Sequence, residues 1–311
     1  MTRSRLLSLA RVLVSLALCG WLVWHISWPE QVDAFGRVAG WVFLVALVGR
    51  LGCYLLVSKR LQILMRATGS AVRYWPVMQL TFIGAYAGNF LPSTVGGDAV
   101  RATFLKRHGH EYRKTVPLLV GDRMLNLFAV LLLGLCVLFV PDLWRSFTPH
   151  VPTVGQFAVG VIAIAALALL LVGLIRLPRL RNIFAALRNE TLIAVTLLAR
   201  RPTVIAACLG LSLLSEATSF GTVYLLADGV GTGATLLEVF AVMALVQIIV
   251  LLPVTVNGIG LQEAGFVVLL TQVGITTQLS LTIAILVRMI ALLTTLPGLL
   301  YLLRGKFQRL T

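Results

Sequence analysis

Five ionisable residues, Arg50, Asp122, Arg123, Glu216 and Arg288, stand inside long apolar runs, and Asp98, Arg101 and Glu263 stand beside proline- and glycine-marked interruptions of such runs. A guanidinium can grip a phosphate through two parallel hydrogen bonds, which makes Arg101, Arg123 and Arg288 candidates for holding an anionic head group. Asp98, Asp122, Glu216 and Glu263 are candidates for balancing those charges or carrying protons. Asp122 and Arg123 are neighbours in sequence and point about 100° apart on a helix, so a separate partner is expected for each. An ionised side chain at a bilayer centre costs roughly 2.5 to 3.5 kcal/mol. These residues are therefore expected to line a polar interior; salt bridges that only hold helices together are the alternative reading.

The interruptions add a second kind of anion chemistry. Where a helix stops, its freed backbone N–H groups and the N-terminus of the next half-helix attract negative charge. Two such passages occur, Leu91-Pro92-Ser93-Thr94-Val95-Gly96-Gly97 and Leu252-Pro253-Val254-Thr255-Val256-Asn257-Gly258, the second followed by Ile259-Gly260. Pro92, Gly96, Gly97, Pro253, Asn257, Gly258 and Gly260 are the expected helix breaks. After Gly96-Gly97 a half-helix is expected to begin with Asp98 as N-cap and Arg101 on its first turn. Downstream, Gly109 precedes Arg123-Met124 and Gly274 precedes Arg288-Met289 by the same spacing. Two matches in one order predict an internal repeat, about 75 to 140 and about 236 to 303.

The elements that must carry these residues are transmembrane helices. The chain has 311 residues, 59% hydrophobic and 12% charged, with mean hydropathy +0.97, far from the composition of a soluble domain. One polytopic membrane domain over 1–311 is expected. The net charge of +15 lies between apolar segments, which points to membrane topology and anionic lipid, and not to nucleic acid. Cys19, Cys53, Cys136 and Cys208 are dispersed singly and read as small buried hydrophobes. His108-Gly109-His110 reads as part of a basic rim and Gly229-Val230-Gly231-Thr232-Gly233 as a turn. No Walker A sequence and no Ser, His and Asp or Cys and His set on one predicted face is found, so no catalytic residue, metal or cofactor is expected. The small-residue run Gly84-Ala85-Tyr86-Ala87-Gly88 predicts close helix packing.

Apolar segments fall near 6 to 27, 39 to 58, 75 to 92, 115 to 140, 154 to 175, 203 to 226, 236 to 253 and 279 to 303. Eight successive crossings would put the basic loop at 93 to 114 and another near 176 to 201 outside, against the positive-inside rule. Making 75 to 108 and 236 to 272 re-entrant hairpins removes the conflict. Of the 26 basic residues, only Arg37 and Arg145 then lie outside and Arg50, Arg123 and Arg288 within spans. The expectation is an all-α membrane protein with six crossing helices and two re-entrant helical hairpins, both termini cytoplasmic. Three crossings separate the hairpins, so the repeat is expected to have inverted topology. Residues 176 to 202 are expected to form an interfacial helix.

Asn89-Phe90-Leu91-Pro92 with Gly96-Gly97-Asp98 and Arg101, Asp122-Arg123 with Leu127, and Leu252-Pro253 with Asn257-Gly258-Ile259-Gly260 and Glu263 resemble the lysylphosphatidylglycerol synthase transmembrane-region family. The resemblance spans nearly the whole chain. It implies a flippase-like protein of a prokaryotic cytoplasmic membrane that moves an anionic phospholipid or polyprenyl-phosphate-linked lipid between leaflets. Gln262 stands where the family often has arginine. No soluble synthase domain accompanies these motifs, so the resemblance implies transport and not aminoacyl transfer. Membrane lipids are the expected partners, with a homodimer or a lipid-synthesis enzyme as further possibilities. The alternative is an accessory subunit or enzyme of lipid modification or glycosylation, with Asp98 or Glu111 as its carboxylate.

Overall fold

The computed structural model describes residues 20, 35–36, 38–91, 96–107, 112–135, 140, 201–250, 255 and 257–304. Eight helices are described: α1 (Gly40–Ala67), α2 (Tyr74–Phe90), α3 (Gly96–Arg107), α4 (Tyr112–Gly134), α5 (Pro202–Val230), α6 (Leu236–Val250), α7 (Leu261–Gln272) and α8 (Thr277–Arg304). The expected spans near 6 to 27 and 154 to 175, most of the interfacial helix, Pro92, Pro253, His108-Gly109-His110, Glu111, Arg37 and Arg145 lie outside the described residues.

Among the described residues, α1, α5, α8 and the part of α4 from Thr115 to Gly134 are long and apolar enough to cross a membrane. This is a multi-pass helical membrane protein. Trp41, Leu44, Val48 and Leu303 point outward from these long helices, as lipid-facing side chains do. Between the long helices stand the short ones, α2 with 17 residues and α3 with 12, then α6 with 15 and α7 with 12.

Local chemistry accounts for where the helices stop. The apolar run of α1 ends near residue 58, yet the helix continues to Ala67 because Arg60 and Gln62 find buried partners. The helix ends where Gly69 turns left-handed at φ 89° and Ser70 donates to the Met65 carbonyl at 3.0 Å, a closure that glycine permits without steric cost. Pro202 opens α5, where its missing N–H costs nothing.

Close backbone approach ties the short helices down. A Cβ on Gly97 would run into the carbonyl oxygen of Gly84, and one on Gly88 would come within 3.7 Å of the Gly97 Cα. The small-residue run of α2 is thus the surface on which α3 lies. On the other side of α2, a Cβ on Gly298 would collide with the Phe82 carbonyl, so α8 also packs there backbone to backbone. Helix α1 lies along α5, while α6 packs on α7 and α4.

Two apolar cores result, separated along the helices. One gathers Leu61, Leu64, Leu80, Leu105, Leu118 and Cys208, and the other gathers Ala46, Phe220, Leu226, Val242, Phe266 and Ile283. On α5 the change is visible residue by residue: Cys208 belongs to the first core, Ser212, Ser215, Glu216 and Ser219 are buried and polar, and Phe220 begins the second. A polar belt crosses the interior between the cores.

Candidate functional site

Each carboxylate of the belt is positioned by a helix and bonded by at least one residue of another helix, as burial in low dielectric demands. Asp122 on α4 takes both arms of the Arg60 guanidinium from α1, Nε at 2.6 Å and Nη2 at 2.9 Å. Arg60 also donates to the Asn126 Oδ1 at 2.8 Å and the Ser212 hydroxyl at 2.7 Å. Its side chain is 3% exposed. Arg60 was read only as one of the basic residues on the cytoplasmic side; the structure adds that α1 outlasts its apolar run and that the guanidinium is buried among the helices.

Asn126 passes the network on, donating to Glu216 Oε1 at 2.9 Å, while Gln247 of α6 donates to Glu216 Oε2 at 2.6 Å. Glu216 is the central residue of α5, so the belt sits midway along that helix. Arg50 donates to the Ser219 hydroxyl, one turn further along α5, and lies 5.9 Å from the centre of the Tyr54 ring.

The two helices that follow the interruptions carry matching devices. Asp98, third residue of α3, accepts from Arg101 Nη1 at 3.1 Å through Oδ1 and from Arg123 Nε through Oδ2. Glu263, third residue of α7, accepts from Arg288 Nε at 2.6 Å through Oε1 and from the Gly260 N–H at 2.8 Å through Oε2. In each case the acid precedes the arginine of the following long helix by 25 residues. Arg101 also reaches the Thr81 carbonyl at 3.3 Å, and Arg288 the Gly258 carbonyl at 3.3 Å. Asp122 and Arg123 have different partners. Asp98 is not an N-cap: α3 already begins at Gly96, and the carboxylate is turned to the two arginines.

The second interruption is a run of turns from Asn257 to Gly260, with positive φ at Asn257 (48°), Gly258 (72°) and Gly260 (80°). Glycine accepts that backbone without strain, and asparagine tolerates it better than most residues. The turn aims Asn257 at α2, where its Nδ2 donates to the Asn89 Oδ1 at 3.1 Å, and Asn89 in turn donates to the Thr295 hydroxyl at 2.9 Å. The ends of both interrupted elements are thereby joined to α8.

Two adjoining cavities of about 390 and about 580 Å³ open within the belt, in the range of small-molecule sites. Arg50, Asp98, Arg101, Arg123, Asn126 and Gln247 line both; Arg288 and Gln262 line the smaller, and Arg60, Asp122 and Glu216 the larger. The structure therefore brings Arg101, Arg123 and Arg288 to one space, with Asp98 and Glu263 holding them. Gly97 lines the smaller cavity, as does Asn257, while Gly258 and Gly260 shape the turn behind Glu263. Sequence reasoning overlooked Arg60, Asn126, Ser219 and Gln247, and named Asn89 only within the family motif. The three-to-four-residue spacing of Ser212, Ser215, Glu216 and Ser219, and of Asp122 with Asn126, marks polar stripes that would have found part of the set.

Such an arrangement defines a multi-pass membrane protein with a charged interior cavity. The family model for the lysylphosphatidylglycerol synthase TM region matches residues 8–298, and the chain belongs to that family of membrane proteins of lipid-related function. It is also similar to a UPF0104 membrane protein of Archaeoglobus fulgidus, 23% identical over 116 residues, a match covering 37% of this chain and 35% of that relative. The chain thus matches about a third of that relative's length.

Proposed function

We propose that this protein moves an anionic phospholipid or a polyprenyl-phosphate-linked lipid between leaflets, its head group passing through the belt cavity while the tails stay in the bilayer. The observation that carries this reading is the pair of clasps, Asp98 with Arg123 and Glu263 with Arg288, facing one cavity between two apolar cores. Exchange of a carboxylate partner for a phosphate lets an arginine release one anion as it takes another, with little change in buried charge.

The same reading makes α2–α3 and α6–α7 re-entrant hairpins. At about 1.5 Å per residue the 12-residue arms are about 18 Å long and the longer arms about 23 to 26 Å, against roughly 30 Å of hydrocarbon. Helices α1–α4 and α5–α8 follow one another as long, short, short, long. With the three crossings that the apolar runs predict between the hairpins, the second set would be the first turned over, and alternating access would follow from rocking one set against the other. In this reading both termini are cytoplasmic, as the positive-inside distribution of the basic residues supports, and the membrane is the inner membrane of a prokaryotic cell, as the family resemblance implies. Asp122, held by Arg60 on both oxygens, fastens α1 to α4; Glu216, whose hydrogen bonds among the described residues come from the Asn126 and Gln247 amides, is the better placed group for coupling to protons.

The test is transbilayer movement of fluorescent phosphatidylglycerol and of a polyprenyl phosphate in proteoliposomes. Movement above that of protein-free vesicles supports a flippase. No movement of any lipid, with or without a proton gradient, would favour an accessory role beside a lipid-modifying enzyme.

A further inference from the structure

The belt's arginines are not equivalent. Arg60, Arg101, Arg123 and Arg288 each touch a carboxylate. Arg50 does not: among the described residues it bonds the Ser219 hydroxyl and faces the Tyr54 ring, with the Glu216 carboxylate near enough to attract it but not bonded to it. It is half-buried and lines both cavities. Recruiting any other guanidinium to an incoming anion requires an ion pair to break first, whereas Arg50 can meet one directly.

The charge count points the same way. Among the described residues five guanidinia share the belt with four carboxylates, Asp98 serving two arginines, so one positive charge is left over among them. Glu216, held by Asn126 and Gln247, is already in the count. An uncompensated charge in a low-dielectric interior is costly, and one negative charge on the ligand would cancel it. A second negative charge would leave the belt unbalanced in the opposite sense.

We infer that Arg50 is the first ligand of the head group, and that the cavity accepts a head group bearing one negative charge, a phosphodiester, in preference to a phosphomonoester or a pyrophosphate. This rests on the lipid-moving reading for its biological sense but not for its test, which measures binding alone. Phosphodiesters occur both in glycerophospholipids and in prenyl-phosphosugars, and the geometry of one guanidinium serves either.

The experiment is native mass spectrometry of the purified full chain in detergent, titrated separately with phosphatidylglycerol, a prenyl-phosphoglucose, phosphatidic acid, a prenyl pyrophosphate and zwitterionic phosphatidylethanolamine. Wild-type protein should retain at least one of the two phosphodiesters of net charge −1, phosphatidylglycerol and the prenyl-phosphoglucose, more tightly than any of the other three lipids, and which of the two it retains identifies the source. Arg50→Gln should weaken that binding on the order of tenfold or more, and Arg50→Lys, which keeps the charge and loses the fork, should fall between. Tighter retention of phosphatidic acid or pyrophosphate by the wild type, or phosphodiester binding unchanged in a monodisperse Arg50→Gln protein, would overturn the inference. Should Arg50→Gln fail to fold, the wild-type ranking decides alone. Phosphodiester binding without movement in proteoliposomes would remove the transport reading and leave this one standing.

Discussion

Arg123 and Arg288 open onto one cavity from two different long helices, and each is gripped by a carboxylate that precedes it by the same 25 residues. The acids sit at the third position of equally long helices, Gly96–Arg107 and Leu261–Gln272. The equivalence therefore extends from spacing to geometry.

Neutralising one clasp should slow lipid movement while leaving the fold intact. Asp98→Asn and Glu263→Gln each remove a charge-assisted hydrogen bond worth about 1.5 to 3 kcal/mol, so initial rates of movement should fall about tenfold to a hundredfold. Asp98 holds two arginines, so its variant should be the more impaired. Rates equal to wild type in either folded variant would show that the clasps are structural only.

Arg60 and Asp122 form a different sort of pair, both nearly inaccessible. Removing one partner alone, as in Asp122→Asn or Arg60→Met, leaves a buried charge unpaired and should cost about 3 to 5 kcal/mol. Replacing both with apolar residues should recover much of that loss. Thermal melting in detergent reads both; a double variant less stable than either single one would contradict the assignment.

How much of this was legible beforehand differs by level. Helix positions were read closely: 75 to 92 is Tyr74–Phe90 and 236 to 253 is Leu236–Val250, because apolar runs broken at proline and glycine report helix ends directly. The pairing of Arg60 was missed because hydropathy sees the charge and not the carboxylate waiting on another helix. Arg50 was recognised as lying inside a span, but that it bonds a hydroxyl and not a carboxylate among the described residues is a fact of three dimensions. Asp98 was expected to cap its helix; the glycines before it are themselves helical, since Gly97 is drawn against Gly84.

Glycine contacts give a second stability test. Gly97→Ala and Gly298→Ala place a methyl group against the backbone carbonyls of Gly84 and Phe82, while Gly210→Ala meets open space. The first two should lower the melting temperature by several degrees, in keeping with the roughly 1 to 3 kcal/mol of overpacking. The third should change it little. Equal effects at all three sites would argue against the packing of α2 between α3 and α8.

The joint between the interrupted elements is testable at Asn257. Asn257→Gly keeps the positive-φ backbone and loses the bond to Asn89, whereas Asn257→Ala loses both. Melting temperatures should fall in the order wild type, glycine, alanine. An alanine variant as stable as wild type would show that neither the turn nor the bond matters.

Topology can be mapped with single cysteines in a variant lacking the four native ones. Labels at Arg73 and Arg107 should react from the cytoplasmic side, and labels at Thr235 and Gly274 only from the other, if α2–α3 and α6–α7 are hairpins entering from opposite faces. Reaction of positions 73 and 107 from different sides would make α2–α3 a crossing and remove the inverted arrangement.

The most direct measurement is the rate of fluorescent phosphatidylglycerol movement in proteoliposomes containing wild type, Arg123→Gln or Arg288→Gln, each checked for folding by melting and monodispersity. The account predicts movement in the wild type and its loss in both variants, since each arginine serves one end of the same passage. Wild-type rates in both folded variants would contradict it.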